Sequence, residues 1–493
     1  MTVLAPTSSY PSSRRLPRPG SLALVPLGAS AVWLGLQDPL IALLLVAIGG
    51  LAVWVVVRPS VAAYALTVLT PLTVGIDRGA AIPVLRPNEA LAAVAGAALI
   101  ARGLLLAREG TRPRLRLSEI EWALLAMAVA SSVIPLLWMS LRHQEISRDD
   151  LLYSLVLWKF AAVYLIVRVS VRTEPQVRRC LYLSLGAATV VAVIAILQSL
   201  DQLNVRGVLA TYYVPNGHVG ALAKPRGGST LALPAAVADL MIYNLALVAA
   251  LVSQRIRFRA LLGGVGVLFV LAAVSAGEFS SALGLVVGAV LVAVVVRRPR
   301  LLLLSLPVGA LVAVGLWPVI SARLAGFQSV SGLPVSWTGR LNNLQNYFVP
   351  PLMSNDSYLL GVRPSARIAV PSQATGYVWI ESGYIWLLWG GGILLLLAFV
   401  WFVRATAVRS FRVARSRKDA VGAAATGLLV GVVVMSVLMV FDPHLTYRGS
   451  ADLLFFLLAL AAPRTGRRSG VERSARRPAD TAPQAIRQTE EEG

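Results

Sequence analysis

Cysteine is almost absent. Cys180 is the only one in 493 residues, which excludes an intramolecular disulfide and any thiolate-rich metal site. Histidine occurs only at His143, His218 and His444, and no two have metal-ligand spacing; no metal and no cofactor is expected. A GxxxxGK[ST] loop is missing, so no ATP site of that type is expected. HExxH and GxSxG are missing too. Charged residues make up only 14% of the chain, well below the soluble average of about 25%. Lysine is confined to Lys159, Lys224 and Lys418, so the net charge of +22 is carried by Arg.

What is present is apolar sequence: 57% hydrophobic, with a mean hydropathy of +0.73. Runs of about 20 apolar residues read as transmembrane helices. Such runs lie near 22–36, 40–57, 60–76, 89–107, 120–140, 151–168, 180–199, 234–253, 260–276, 280–296, 301–319, 378–403, 421–441 and 449–462. The expectation is an all-α, polytopic transmembrane bundle of about 14 spans (12–14, since the first two form a tight pair around Gln37-Asp38-Pro39). One transmembrane domain then covers 21–463. The Pro/Ser/Arg-rich residues 1–20 read as a flexible start rather than a cleavable signal, and the polar residues 464–493 as a disordered tail.

With the N-terminus inside, 32 of the 45 Lys and Arg fall on the inner side, 12 on the outer side, and Lys159 within a span. That asymmetry fits a bacterial plasma membrane with both termini cytoplasmic. It also accounts for the basic charge without nucleic acid as a partner. Two outer connections are long, about 201–233 and 320–377. Loops of that length are usually functional or disordered, and the aromatics Trp337, Tyr347, Phe348, Tyr358, Tyr377 and Trp379 argue against disorder.

Within the second loop, SWTGRLNNLQNYFVPP suggests a short amphipathic helix capped by Thr338 and ending before Val349-Pro350-Pro351. Leu341, Leu344 and Phe348 line one face; Arg340, Asn343 and Tyr347 lie near one another on another. The outer loops keep Arg206, Lys224, Arg226, Arg323, Arg340, Arg363 and Arg367 despite the inward bias of positive charge. Arg grips phosphate oxygens bidentately, so these residues are candidate ligands for a lipid-borne diphosphate, or contacts to ordinary headgroups. Glu381, before the next span, is either a helix-end partner or a general base; neighbouring Arg residues are expected to lower its pKa. His218 is a lone loop histidine or a base or sugar ligand. Lys159 either snorkels or pairs with an acid.

Three stretches in order, KPRGGSTLALPAAVADL (224–240), TGRLNNLQNYFVPPLMSNDSYLLGVRPS (338–365) and WIESGYIWLLWGGGILLL (379–396), resemble the O-antigen ligase and O-antigen polymerase superfamily of bacterial membrane proteins. The resemblance spans about 180–460. It implies a C-type glycosyltransferase-like fold whose large outer loop carries short amphipathic helices. It further implies transfer or polymerisation of a glycan from a polyprenyl-diphosphate (undecaprenyl-type) carrier, without metal. The acceptor is a second lipid-linked glycan or a lipid or protein; other polysaccharide-assembly proteins are possible partners. Arg226 and Arg340 correspond to the family's diphosphate-binding arginines, Glu381 stands at its usual Asp or His, and Tyr384 at its Tyr. The family's Gly-Val-Gly turn reads Gly361-Val362-Arg363 here. The competing reading is a flippase or transporter of lipid-linked sugars, which calls for charges inside the bundle and an internal repeat; a non-catalytic scaffold is a third.

Overall fold

The computed structural model describes residues 39–80, 82, 85–110, 117–213, 226–254, 258–300, 309–310, 314–317, 320–321, 335–371 and 376–462. The expected span 22–36, most of 301–319, both terminal segments, and His218, Lys224 and Arg323 lie outside them.

The long apolar runs fold as helices. In chain order these are α1 (Pro39–Val57), α2 (Ser60–Thr73), α3 (Pro87–Arg108), α4 (Glu119–Ala130), α5 (Val133–Leu141), α6 (Arg148–Ser154), α7 (Val156–Ser170), α8 (Glu174–Ser199), α9 (Val205–Tyr212), α10 (Pro234–Ser253), α11 (Arg259–Ser275) and α12 (Phe279–Val296). The loop segment holds α13 (Val335–Asn343), α14 (Val349–Met353) and α15 (Ser357–Leu360). Helices α16 (Gly383–Ser416), α17 (Ala420–Leu438) and α18 (Ser450–Ala461) complete the bundle. Among the described residues, eight helical stretches are long and apolar enough to cross a membrane: α3, α4–α5, α6–α7, α8, α10, α12, α16 and α17. Leu45–Val57 within α1, and α2, α11 and α18, are apolar but shorter. The chain is thus a polytopic helical protein of membrane type.

Local sequence sets the ends. Pro87 and Pro234 sit in first turns, where the missing N–H costs nothing. Ser118, Ser147 and Thr173 are followed three residues later by Glu121, Asp150 and Gln176, whose side chains accept from the backbone N–H groups of those starting residues. Helices α10 and α17 form the centre and are buried along almost their whole length. Small residues bring them close to their neighbours: Gly427 and Gly431 face Leu247 and Tyr243 of α10, and Gly284 and Gly288 face Ile242. All twelve residues of α18 are buried.

The contacts between connections sort to two ends. At one, Thr230 bonds to Pro71 O, Tyr213 to Leu72 O, and the loop segment meets 149–150 and 442. At the other, Arg102 bonds to Val56 O, Arg409 to Ser118, and Gln254 to Asp419 O. These are the groupings the alternating topology expects. We call the first the loop-bearing end and the second the basic end.

The loop segment differs from expectation in three ways. First, it is not wholly helical: β1 (Arg367–Ala369) and β2 (Tyr377–Trp379) pair antiparallel, Arg367 opposite Trp379. Second, the helix begins at Val335, so Thr338 lies inside it, and it does not stop before Pro350-Pro351. A π-turn over Leu344–Phe348 passes it into α14, where both prolines occupy first-turn positions that need no N–H donor. Third, the wider turn shifts the apolar face. Phe348 is fully buried and edge-on to Trp389 at 5.2 Å, while Leu341 is 52% exposed.

A glycine break in α16 receives this segment. Gly392 has φ 64° and ψ −160°, outside the helical region. A Cβ there would strike the Leu359 carbonyl, and one on Gly391 the Ala130 carbonyl. Val362 N–H donates to Trp389 O at 2.7 Å. Gly390 next door has open space around its missing Cβ. Gly392→Ala should therefore lower stability by about 1–3 kcal/mol from backbone strain alone, seen as a lower unfolding midpoint, while Gly390→Ala leaves the midpoint nearly unchanged. Equal effects would contradict this role of the break.

Candidate functional site

Helix α13 is pinned at two points one turn apart. Trp337 packs against Phe441 with ring centroids 5.0 Å apart. Arg340, three residues on, reaches the same connection: its Nη1 donates to Asp442 Oδ2 at 2.9 Å. The Arg340 Nε lies 3.5 Å from Glu381 Oε1, and Asn343 is near enough to the same carboxylate to favour its charged form. Glu381 and Asp442 are held together from behind, because Gly383 N–H donates to Met439 O at 2.7 Å. A Cβ on Gly383 would displace the end of the Met439 side chain and crowd the Asp442 carbonyl, so glycine suits that approach. One guanidinium thus sits between two carboxylates from separate elements.

Burial dominates the electrostatics. It raises the Glu381 pKa against the opposing pull of Arg340, and Asp442 adds to the rise. Burial likewise raises Asp442, again opposed by Arg340. Arg340 pulls the Glu381 pKa down as expected, but the net shift is upward, because desolvation of the carboxylate outweighs one shared cation. Burial works against the Arg340 charge as well, but Asp442 and Glu381 outweigh it, and its pKa ends above the ordinary value. Glu278, paired with Arg226 at 3.1 Å, also acts on Arg340 and Asp442. Among the described residues the cluster brings Arg340 and Arg226 together with the carboxylates of Glu381, Asp442 and Glu278.

The other expected site residues fall elsewhere. Arg363 binds Asp150 through Nε at 2.9 Å and through Nη2, and Ser365 N–H donates to the same carboxylate at 3.1 Å. Arg367 pairs with Asp149 and lies over Tyr377 and Trp379. These pairs tie the β-hairpin to α6. Arg206 pairs with Asp201 at 3.0 Å beside α9. Tyr384 donates to Ser436 O at 2.8 Å, between α16 and α17, and Tyr347 is half-buried against the core. The structure thus brings together Arg340, Asn343 and Glu381, with Arg226 nearby through Glu278, and leaves Arg206, Arg363, Arg367, Tyr347 and Tyr384 in other settings.

Two groups escaped the sequence reading as a site. One is Asp442. The other is a buried pair beneath the cluster: His444 Nδ1 and Asp239 Oδ2 are 2.7 Å apart, both side chains inaccessible, with Tyr447 against the imidazole at 4.7 Å. Their signal is the stretch FDPHLTYR, which crowds Asp, His, Tyr and Arg into a short connector between two apolar runs. Lys159, read as snorkelling or acid-paired, lies 3.6 Å from Asp452. No family model matches the chain, and neither does any curated protein or solved structure.

Raised carboxylate pKa values carry a stability signature. The folded state binds a proton more tightly than the unfolded chain, so the Glu381 contribution is fully present below the ordinary value of 4.5. It is lost as pH rises through the higher folded value. The difference in unfolding midpoint between Glu381→Gln and the parent should accordingly shift in favour of the variant as pH rises across that window. A difference that does not change with pH would contradict the desolvated carboxylate.

Proposed function

We propose that this protein transfers a glycan from a polyprenyl-diphosphate carrier to a hydroxyl acceptor, as a cell-surface polysaccharide polymerase or ligase. The observation that carries the reading is the pair of desolvated carboxylates, Glu381 and Asp442, converging on Arg340 at the loop-bearing end. The Lys and Arg distribution supports placing that end at the outer face of a bacterial plasma membrane, where lipid-linked glycans are presented. The resemblance to the O-antigen ligase and polymerase superfamily supports the same assignment.

The acceptor hydroxyl gives its proton to Glu381, whose raised pKa brings it nearer to the working range of a general base. The acceptor oxygen bonds to the anomeric carbon as the bond from that carbon to the diphosphate oxygen breaks. The electron pair leaves with the polyprenyl diphosphate. Arg340 is already engaged by two carboxylates, so its first role is to fix them and keep Glu381 able to ionise. Asn343 orients the same carboxylate. Arg340 is occupied by these two carboxylates, which suits a hydroxyl acceptor here better than a diphosphate and leaves the donor's charged group to other cations.

A second reading is supported by the charges inside the bundle. The Asp239–His444 pair and the Lys159–Asp452 pair are what a pathway for a lipid-linked sugar would need. Only the transferase reading requires bond cleavage.

With purified protein and a polyprenyl-diphosphate-linked glycan, release of polyprenyl diphosphate without ATP is expected. Glu381→Ala should lower the rate by about 10²–10⁴-fold, the usual worth of a general base. Arg340→Ala should lower it comparably by freeing both carboxylates. Release at the parental rate in both variants would remove the site assignment.

A further inference from the structure

A second polar cluster lies on the other side of the 442–448 connector, and among the described residues its cations outnumber its carboxylates. Arg78 and Glu89 are paired at 2.8 Å, Arg86 and Asp77 at 3.2 Å, and Lys159 stands 3.6 Å from Asp452, beyond hydrogen-bond length. Arg448 is half-buried and has no hydrogen bond or ion pair among the described residues. The charge acting on it most strongly is another cation, Arg86; Tyr153, Glu89 and Arg78 follow. Burial, then Arg86, pulls its pKa down to about 10. Arg86 is itself 5% exposed, and its Nε is buried without an acceptor. A buried guanidinium donor left unmatched is costly, and two adjacent guanidiniums repel. Three cations thus have spare donor capacity in one place.

The connector explains why this side is basic and the other acidic. Tyr447 has an extended backbone, so consecutive side chains point opposite ways. Tyr447 is acted on by Asp442, Asp239, Glu278 and Arg340, whereas Arg448 is acted on by Arg86, Tyr153, Glu89 and Arg78. Trp379 meets Tyr153, one of the groups acting on Arg448, at 6.2 Å.

We propose that Arg448, with Arg86 and Lys159 beside it, forms a binding site for the phosphate or diphosphate oxyanion of a phosphorylated lipid. A polyanion with several oxygens matches the unpaired Arg448 fork, the Arg86 Nε donor and the Lys159 ammonium together. None of the three belongs to the motifs that carry the family resemblance. The site rests on the transferase reading only for naming its ligand as the glycan carrier; the anion deficit stands without it.

The test uses full-length protein in phosphatidylcholine nanodiscs, with two probes: a polyprenyl diphosphate placed in the disc, and inorganic pyrophosphate in solution. Binding is read by native mass spectrometry and titration calorimetry. Arg448→Gln should weaken binding at least tenfold, and Arg448→Lys should restore part of it. Without either probe, Arg448→Gln should unfold at the same or a higher temperature than the parent, because it removes an uncompensated charge. Loss of the lipid probe alone assigns the site to lipid; loss of pyrophosphate as well shows that the oxyanion suffices. Unchanged binding of both probes, or a lower unfolding temperature in Arg448→Gln, would overturn the proposal. Binding through Arg448 without glycan release would keep this site and defeat the transferase reading; release with unchanged binding would do the reverse.

Discussion

The guanidinium of Arg340, shared between Glu381 and Asp442, joins three elements that the bundle alone would leave apart: the loop helix α13, the start of α16, and the connector after α17. Each of the three ions is substantially withdrawn from water. Removing one partner of such an arrangement leaves an uncompensated buried charge, typically at a cost of about 3–5 kcal/mol. The triad therefore acts as a lock and as a tuning device at once. It fixes the carboxylates in space, and the enclosure that makes the lock strong also raises their pKa. Trp337 on Phe441 and the Gly383 approach to Met439 are the supports that hold this geometry.

The loop-bearing end divides by charge. The acidic cluster around Arg340 and the basic cluster around Arg448 share the connector 442–448, where the adjacent Tyr447 and Arg448 side chains face opposite sides. An acceptor hydroxyl needs a proton acceptor; a leaving diphosphate needs cations. In the proposed reaction, placing these on two faces of the same short segment keeps them from neutralising each other. The β-hairpin and its Arg363–Asp150 and Arg367–Asp149 pairs fix the strand leading to Glu381 against α6.

Much of the fold was legible because apolar length is a strong signal. The expected spans within the described residues are largely helical, but 120–140 and 151–168 are each two helices and 378–403 opens on β2. Among those residues eight stretches, rather than about 14, are long and apolar enough to cross a membrane. The contacts at the two ends respect the expected alternation. The path of 335–360 was not legible in full. Pro350-Pro351 reads as a stop, yet a π-turn carries the helix into a first turn that tolerates both prolines. The site was legible in part. Arg340, Asn343 and Glu381 stood out because polar residues are scarce here and helical spacing groups the first two. Asp442 is 102 residues from Arg340, and no local pattern joins them. The direction of the Glu381 shift depends on enclosure, which a sequence does not display. Arg363 and Arg367 looked like ligands because their partners, Asp150 and Asp149, sit more than 200 residues away.

The central claim is chemistry at one end of the bundle rather than passage through it. The most direct test places a labelled polyprenyl-diphosphate glycan and an acceptor in proteoliposomes containing the purified protein, without ATP, and follows both the lipid and its leaflet. The account predicts free polyprenyl diphosphate and a lengthened or transferred glycan, with the uncleaved lipid staying in its leaflet. Movement of the intact lipid-linked glycan between leaflets, with no cleavage, would contradict it.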